Sequence, residues 1–455
     1  MPSPAVLKMR QDAKKKGSVI ARPLWFLALA FAAAGARSES NVPADRQAHF
    51  QATYIYQSKP AFASPYSGPR SLNADRERSY TLTATALLGT RAWRGAELYF
   101  DAEAIKGQPL SNVTGLGGLS NGELQKVVEP QIKVYVPRLF LRQTLALGAD
   151  AEPVESDNNQ LAGPVPSERL VLSAGKLSIT DIFTRSSYLG DPRTQFLNWS
   201  FLTYGAFDYA ADLRGYSWGA ALEYYRGPWA LRAARFEQPK TPNSMTLDHR
   251  LFSTYGDEIE LEHRHRLGEH QGKLQLLAFR NRATMASYAE ALSQAAASGS
   301  VPDITTARDR SRVKGGFGVS AEQALGPDVG VFARVAAHDG KTETYAFTDI
   351  DRAFTAGGVI KGTRWARADD TVGVGFSRNG ISASHRDYLA AGGITVFLGD
   401  GRLNYRAEQI YETYYSIGVA KQLSMALDWQ HIRNPGYNAD RGPVQIYSLR
   451  LHAQF

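Results

Sequence analysis

The chain of 455 residues contains no cysteine, so disulfide bonds and thiolate metal sites are excluded. After Ala34 it lacks any apolar run of the roughly 20 residues that a membrane-spanning helix needs. Its glycine-rich run Gly115–Gly122 suits an ordinary tight loop rather than a phosphate-binding one. We therefore expect no catalytic residue, no metal site and no cofactor. A hydrolase whose serine, histidine and acid meet only in space stays open as an alternative from another functional class, as does an adhesin.

Charge is nearly balanced once the N-terminus is set aside. Of the net charge of +8, +5 lies in residues 1–36, where six basic side chains oppose Asp12. The remaining chain gives little reason to expect nucleic acid as a partner. The mean hydropathy of −0.32 resembles that of a soluble protein, but a membrane β-barrel has similar values because only every second strand residue meets lipid.

Residues 1–36 have the pattern of an export signal. A basic start is followed by the apolar run Leu24–Ala34 and by Ala34-Gly35-Ala36, which fits the small-residue cleavage rule. We expect this segment to be removed and residues 37–455 to form the mature domain.

Strand patterns dominate the mature chain. Apolar and polar residues alternate with a period of two in five segments, so each segment would present one apolar and one polar face. The segments are His49–Tyr56, Ala96–Glu103, Asp257–Arg264, 329–335 and 423–430.

Connections of two lengths separate these segments. The pattern predicts short turns at Arg91–Gly95, Gly268–Gly272 and Ala420–Gln422, and long loops at Gly107–Glu123, Ala151–Glu168, Glu237–Tyr255, Ala283–Arg308 and Thr342–Arg364. Short periplasmic turns and long extracellular loops are typical of outer-membrane barrels. We therefore predict an all-β fold, a transmembrane antiparallel β-barrel that is apolar outside and polar inside, with a short helix at 289–298.

The last strand supports this fold. In Gln445–Phe455, Tyr447 and Leu449 share an apolar face that continues to Phe455, while Ser448 and Arg450 share a polar one. A strand of this kind resembles the signal that the barrel-assembly machinery reads in the outer membrane, so we expect that machinery to be a partner through Phe455.

Inward strand faces would carry many charges. The candidates are Glu97, Asp101, Glu103, Arg138, Arg142, Glu223, Arg232, Glu258, Glu260, Arg334, Glu408 and Glu412. Such charges either keep the lumen wet or form a constriction that guides polar solutes.

The stretch from Gly175 to Arg235 is dense in aromatic, acidic and basic residues. Aromatic rings can stack on sugar faces, and carboxylates and guanidinium groups can bond hydroxyls, so this stretch suits carbohydrate binding. Its run DPRTQFLNW, with QHIRNPGYN near the end of the chain, resembles the carbohydrate-selective porin family of Gram-negative outer membranes. Further similar segments, such as GAELYFDAEAIKGQPL and IKVYVPRLFLRQT, extend the resemblance over nearly the whole mature chain.

The resemblance implies a barrel of 16 strands, narrowed by inward-folded loops, through which monosaccharides such as glucose diffuse passively. A general or anion-leaning porin without a sugar site remains open, as does a monomer or a homotrimer. With the inward charges, the resemblance gives these candidate pore-lining and substrate-binding residues: Arg138, Arg142, Asp191, Arg193, Asn198, Trp199, Asp208, Asp212, Arg214, Trp218, Glu223, Glu258, Glu412 and Tyr414.

Overall fold

The structure is a computed structural model that describes residues 44–127 and 130–455. The expected export signal at residues 1–36 lies outside the described residues.

Sixteen antiparallel strands close into a barrel, as the family resemblance implies. The first and last strands pair from Gln51 with Gln454 to Ser58 with Tyr447. The barrel strands are β1 Arg46–Lys59, β2 Glu77–Trp93, β3 Ala96–Gln108, β4 Lys133–Ala146, β7 Arg169–Leu177, β8 Ser217–Arg226, β9 Trp229–Glu237, β10 Tyr255–Leu267, β11 His270–Thr284, β12 Ser311–Ala324, β13 Val329–His338, β14 Arg352–Lys361, β15 Thr371–Gly380, β16 Glu408–Ala420, β17 Leu423–Arg433 and β18 Val444–Gln454. A separate hairpin consists of β5 Ala151–Val154 and β6 Gly163–Pro166.

The predicted alternation sorts side chains between two environments. On β10, Ile259 and Leu261 are exposed on the outside, whereas Glu258, Glu260 and Glu262 are buried inside. An outer face that meets lipid must be apolar, while an inner face can carry charges wherever the lumen supplies partners. The predicted polar interior is thus confirmed.

Connections alternate between a turn end and a loop end of the barrel. At the turn end, β2 and β3 are joined by Arg94-Gly95, and β16 and β17 by residues 421–422. The loop end carries the long connections at residues 60–76, 109–132, 178–216, 238–254, 285–310, 339–351, 381–407 and 434–443.

Two of the predicted long loops are wrong. Ala151–Glu168 belongs to the turn end, where it forms the β5–β6 hairpin, because β3 ends at the loop end and β4 runs back to the turn end. Thr342–Arg364 is not one loop, since β14 lies within it. Its glycine and alanine residues weakened the strand pattern.

Three short helices lie in loop-end connections: α1 Trp199–Leu202, α2 Tyr288–Ser298 and α3 Ala383–Ala390. The α2 helix confirms the predicted loop helix. Its N-cap Ser287 accepts a hydrogen bond from the Glu290 N–H, and Gly299 ends it in the left-handed region at φ 66°. Within the described residues, five 3₁₀ turns also occur, at Leu110–Val113, Ile179–Asp181, Ile304–Ala307, Gly362–Trp365 and Pro435–Tyr437. In the part of the chain that the structure describes, no helix combines the length and apolarity needed to cross a membrane.

Much of the lumen is filled by residues 178–216, here called the inner loop. It joins β7 to β8 and folds back among the inward strand faces. Its aromatic side chains, including Phe196, Phe201 and Phe207, are almost completely buried and anchor the main hydrophobic clusters. The interior is therefore largely a packed core.

Candidate functional site: a charged cavity in the barrel lumen

Inward strand charges hold the backbone of the inner loop. Glu412 on β16 accepts hydrogen bonds from the Leu197 and Asn198 N–H groups, the latter at 3.0 Å. Arg334 on β13 donates to the carbonyls of Thr203 and Thr184 at 3.0 and 3.1 Å. Because a buried backbone polar group needs a partner, these charges replace the partners that regular secondary structure would supply.

A cavity of about 400 Å³ remains between the inner loop and the wall formed by β1 to β4. Its lining also includes the tip of the β5–β6 hairpin, Phe347, and Gly122, Glu123, Gln125 and Lys126 of the β3–β4 connection. Six basic and four acidic side chains line it: Lys126, Arg138, Arg142, Arg185, Arg193 and Arg214, with Glu123, Asp157, Asp181 and Asp191.

Most of these charges are paired. Arg193 Nη2 lies 2.6 Å from Glu103 Oε2 and 3.3 Å from Glu123 Oε2. Arg138 bridges the wall and the inner loop, with Nη1 3.2 Å from Asp101 Oδ2 and Nη2 2.6 Å from Asp181 Oδ1. Paired guanidinium and carboxylate groups keep further donors and acceptors for hydroxyl groups, while their net field is small.

Two of the cations that line the cavity, Lys126 and Arg193, have raised pKa values. Burial disfavours the ammonium form of Lys126, but the carboxylates Glu123 and Glu103 outweigh it, and the pKa of Lys126 is raised above its usual value. Arg193 behaves alike: its pKa is raised by Glu123 and Glu103 against the effect of burial. Both cations therefore stay charged well above neutral pH.

Aromatic rings also line the cavity, and three of them pack against each other. Trp199 stacks on Phe347 at a centroid distance of 4.8 Å, and Tyr209 lies 5.0 Å from the same ring. Two cations lie over the ring of Tyr216, with Arg138 Cζ 5.2 Å and Lys126 Nζ 5.7 Å from the ring centroid. Since little of these ring faces is exposed, the charged wall offers most of the hydrogen-bonding groups to a solute.

The cavity brings together six of the residues predicted from sequence. These are Arg138, Arg142, Asp191, Arg193, Trp199 and Arg214. Seven others are buried outside its lining, where they support the loop or the wall: Asn198, Asp208, Asp212, Glu223, Glu258, Glu412 and Tyr414.

The contacts of these seven explain their positions. Asn198 caps α1 by accepting from the Ser200 N–H at 3.0 Å. Asp208 pairs with Lys314 at 2.9 Å, Glu223 with Arg232 at 3.3 Å, and the Tyr414 ring packs edge-on against Phe196. Asp212 accepts from the N–H groups of Arg214 and Tyr216, and burial raises the pKa of this carboxyl. Glu258 is buried beside the backbone of Ala210 in the inner loop.

Trp218 does not line the lumen as predicted. It lies on the outer face of β8, on the same side as Leu222, with 41% of its surface exposed. Because Trp218 follows the loop-end start of its strand, it belongs to the aromatic girdle where a barrel meets the membrane interface. Trp218 has polar neighbours in the sequence, so its outward direction could not be inferred from them.

Several lining residues were missed by sequence reasoning. Lys126, Tyr216 and Phe347 come from three different connections, and residues 157–160 come from the hairpin that was assigned to the wrong end. Asp181 and Tyr216 had a local signal, since both lie in the stretch Gly175–Arg235 that is dense in aromatic and charged residues. Within residues 44–127 and 130–455, no group of three acidic, histidine or cysteine side chains is arranged to hold a metal ion.

Comparison with known proteins gives one family. The family model described as carbohydrate-selective porin, OprB family, matches residues 76–455. Among solved structures, OprB of Pseudomonas putida at high pH is 16% identical with a TM-score of 0.68, over 90% of this chain and 94% of that chain. The outer membrane channel DcaP of Acinetobacter baumannii is 9% identical with a TM-score of 0.51, over 92% of this chain and 100% of that chain. No curated protein matches significantly.

Proposed function

Because the chain belongs to the carbohydrate-selective porin family and forms a sugar-selective outer-membrane channel, we propose that neutral monosaccharides such as glucose cross it through the charged cavity. The observation that carries this proposal is the pairing of the lining charges. A wall of paired guanidinium and carboxylate groups can bond the hydroxyls of a neutral sugar without a strong preference for either sign of charge.

In this proposal the six lining residues from the sequence contact the solute, and the seven buried ones act through the inner loop. Weak contacts suit a channel, because the sugar must leave as readily as it binds. Passage needs no chemistry at the site, so the protein acts as a channel and not as an enzyme.

We further infer the path by which the protein reaches its site. Residues 1–36 would direct export and be removed, and residues 37–455 would assemble in the outer membrane of a Gram-negative bacterium. The last strand, ending at Phe455, would engage the assembly machinery, and the apolar outer face would contact lipid. A monomer and a homotrimer are both compatible with that outer face.

A second candidate, an anion-leaning porin, is favoured by one observation. The lining has more basic than acidic side chains, and the guanidinium of Arg214 lies over the Tyr135 ring at 4.4 Å. That cation–π contact leaves the positive charge of Arg214 in place, whereas a carboxylate partner would offset it.

Swelling of liposomes that contain the refolded protein separates the candidates. Glucose, larger neutral sugars and charged solutes of matched size are compared, and saturable permeation of glucose is expected. Arg214→Gln should shift the ratio of neutral to anionic permeation, whereas the control Arg226→Gln, on a 71% exposed side chain at the turn end, should not. Faster anion than glucose permeation that Arg214→Gln abolishes would establish the anion-leaning porin. No permeation at all would refute the channel.

A further inference from the structure

The β5–β6 hairpin is an unusual feature of the turn end. Residues 147–168 connect β4 to β7 there, whereas residues 227–228 and 268–269 suffice for two other connections at the same end. The neck of the hairpin is closed by hydrogen bonds from the Leu147 N–H to the Glu168 carbonyl and from the Ser167 N–H to the Asp150 carbonyl, both 2.9 Å. Beyond that neck lie β5, the tip of the hairpin and β6.

Its tip lies inside the barrel. Two backbone hydrogen bonds of 3.0 Å between Asp157 and Gln160 close a two-residue turn, in which Asn159 has a left-handed φ of 54°. The tip is bonded to inward-facing positions of the wall: His49 Nε2 lies 2.9 Å from Ser156 Oγ, and Gln47 donates to the Asp157 carbonyl at 3.1 Å. Side chains on the lumen side can be reached only from within the lumen.

The tip rests on one row of the wall. His49 pairs with Leu87, Leu87 with Asp101 and Asp101 with Arg138, so these four residues lie side by side across β1 to β4. The amide of Asn159 donates to Asp101 Oδ2 at 3.0 Å. Because Gln47 and His49 stand near the start of β1, the row meets β1 close to the turn-end mouth.

The hairpin is also linked to the inner loop. The same Asp101 Oδ2 that accepts from Asn159 lies 3.2 Å from Arg138, whose guanidinium pairs with Asp181 of the inner loop at 2.6 Å. Arg142 donates to the Asn159 carbonyl at 2.8 Å. Asp157, Asn158, Asn159 and Gln160 all line the cavity, so the cavity is bounded at the loop end by the inner loop and at the turn end by the hairpin tip.

We propose that this hairpin tip is the exit-side wall of the sugar path, and that Asn158 and Asn159 help to set the size of the sugar that passes. The inference rests on the proposed function of the cavity. Asn159 holds the tip on the wall through Asp101 and Arg142. Asn158, which is exposed and lines the cavity, faces the passing solute.

The composition of the hairpin argues against a site for strand addition by a partner. Pro153 lies opposite Pro164, and Pro166 ends β6. Proline lacks a backbone donor and is used to block the edges of sheets. The polar groups of the tip are instead directed to the lumen.

Two variants change the passage in opposite directions. In the first, residues 151–166 are replaced by Asn-Gly, which joins Asp150 and Ser167, two residues that already contact each other. In the second, Asn158→Trp enlarges the tip without removing any of the contacts that hold it. The matched control is Glu269→Trp, in an exposed turn at the same end that does not line the cavity.

The readout is the ratio of linear trisaccharide to monosaccharide permeation in liposome swelling, with the folded barrel verified by its heat-modifiable migration. We expect the ratio to rise at least threefold when the hairpin is removed and to fall at least threefold in Asn158→Trp, with the control unchanged. A ratio within twofold of wild type in every variant that folds would overturn the proposal. If wild type fails to distinguish sugars from other neutral solutes of equal size, the sugar assignment fails, while the shift in size limit still tests the hairpin.

Discussion

Glu412 offers a direct test of how the inner loop is held. Its carboxylate accepts hydrogen bonds from the Leu197 and Asn198 N–H groups, and all three residues are 0% exposed. Glu412→Ala leaves both donors buried without an acceptor, which costs about 1–3 kcal/mol for each group. We expect the free energy of local opening around residues 197–198 to fall by about 2–6 kcal/mol, while the barrel stays closed.

Hydrogen exchange measured by mass spectrometry gives this quantity by segment. A loss of about 2 kcal/mol corresponds to exchange about 30-fold faster, since each 1.4 kcal/mol is a factor of ten. Peptides covering residues 190–202 should exchange at least that much faster in Glu412→Ala, and peptides from β1 and β18 should be unchanged.

Glu408, four residues before Glu412 on the same face of β16, is the matched control. It accepts hydrogen bonds from the N–H groups of Gly117, Gly118 and Gly436 at 3.1, 3.2 and 2.8 Å, and so holds different connections. Glu408→Ala should speed exchange around residues 115–118 and spare residues 197–198. If each variant loosened both segments equally, or if Glu412→Ala left the inner loop protected, the assignment of separate supports would be refuted.

Two further predictions concern residues whose roles the structure separates. Asp212→Ala removes the acceptor for the buried Tyr216 N–H and the half-buried Arg214 N–H, so exchange at residues 213–216 should rise by the equivalent of about 1–3 kcal/mol, whereas Asp212→Asn, which keeps one acceptor, should cost less than half as much. Because Trp218 faces outward, Trp218→Ala should leave the ratio of sugar to ion permeation in liposomes unchanged; a shift as large as that of a cavity variant would contradict its place in the outer girdle.

The sequence was sufficient for the barrel because one physical constraint repeats along every strand. Lipid outside and polar partners inside force a period of two, and segments such as Asp257–Arg264 carry it without interruption. The inward direction of Glu258 and Glu412 followed from the same pattern. β14 was not predicted because glycine and alanine occupy Ala356–Gly358, where the alternation of apolar and polar residues should have been strongest.

Connections could not be placed from pattern alone. Which end of the barrel Ala151–Glu168 occupies depends on the number of strand crossings before it, so one missed strand reverses the answer. The cavity depends on contacts between distant segments, such as the Arg138 ion pair with Asp181 and the stacking of Trp199 on Phe347. Such contacts have no local signature in the sequence.

The same residue types serve two purposes in this lumen, and their partners distinguish them. A side chain whose hydrogen-bonding capacity is used by backbone groups, as in Arg334 with Thr203 and Thr184, has little left for a solute. A side chain paired with another side chain at the cavity surface, as in Arg193 with Glu123, keeps further donors and acceptors. Solute selectivity should therefore respond to changes in the side-chain pairs at the cavity. The stability of the inner loop should respond to changes in the charges that bond its backbone, even though both groups are buried charges on the inner side of one barrel.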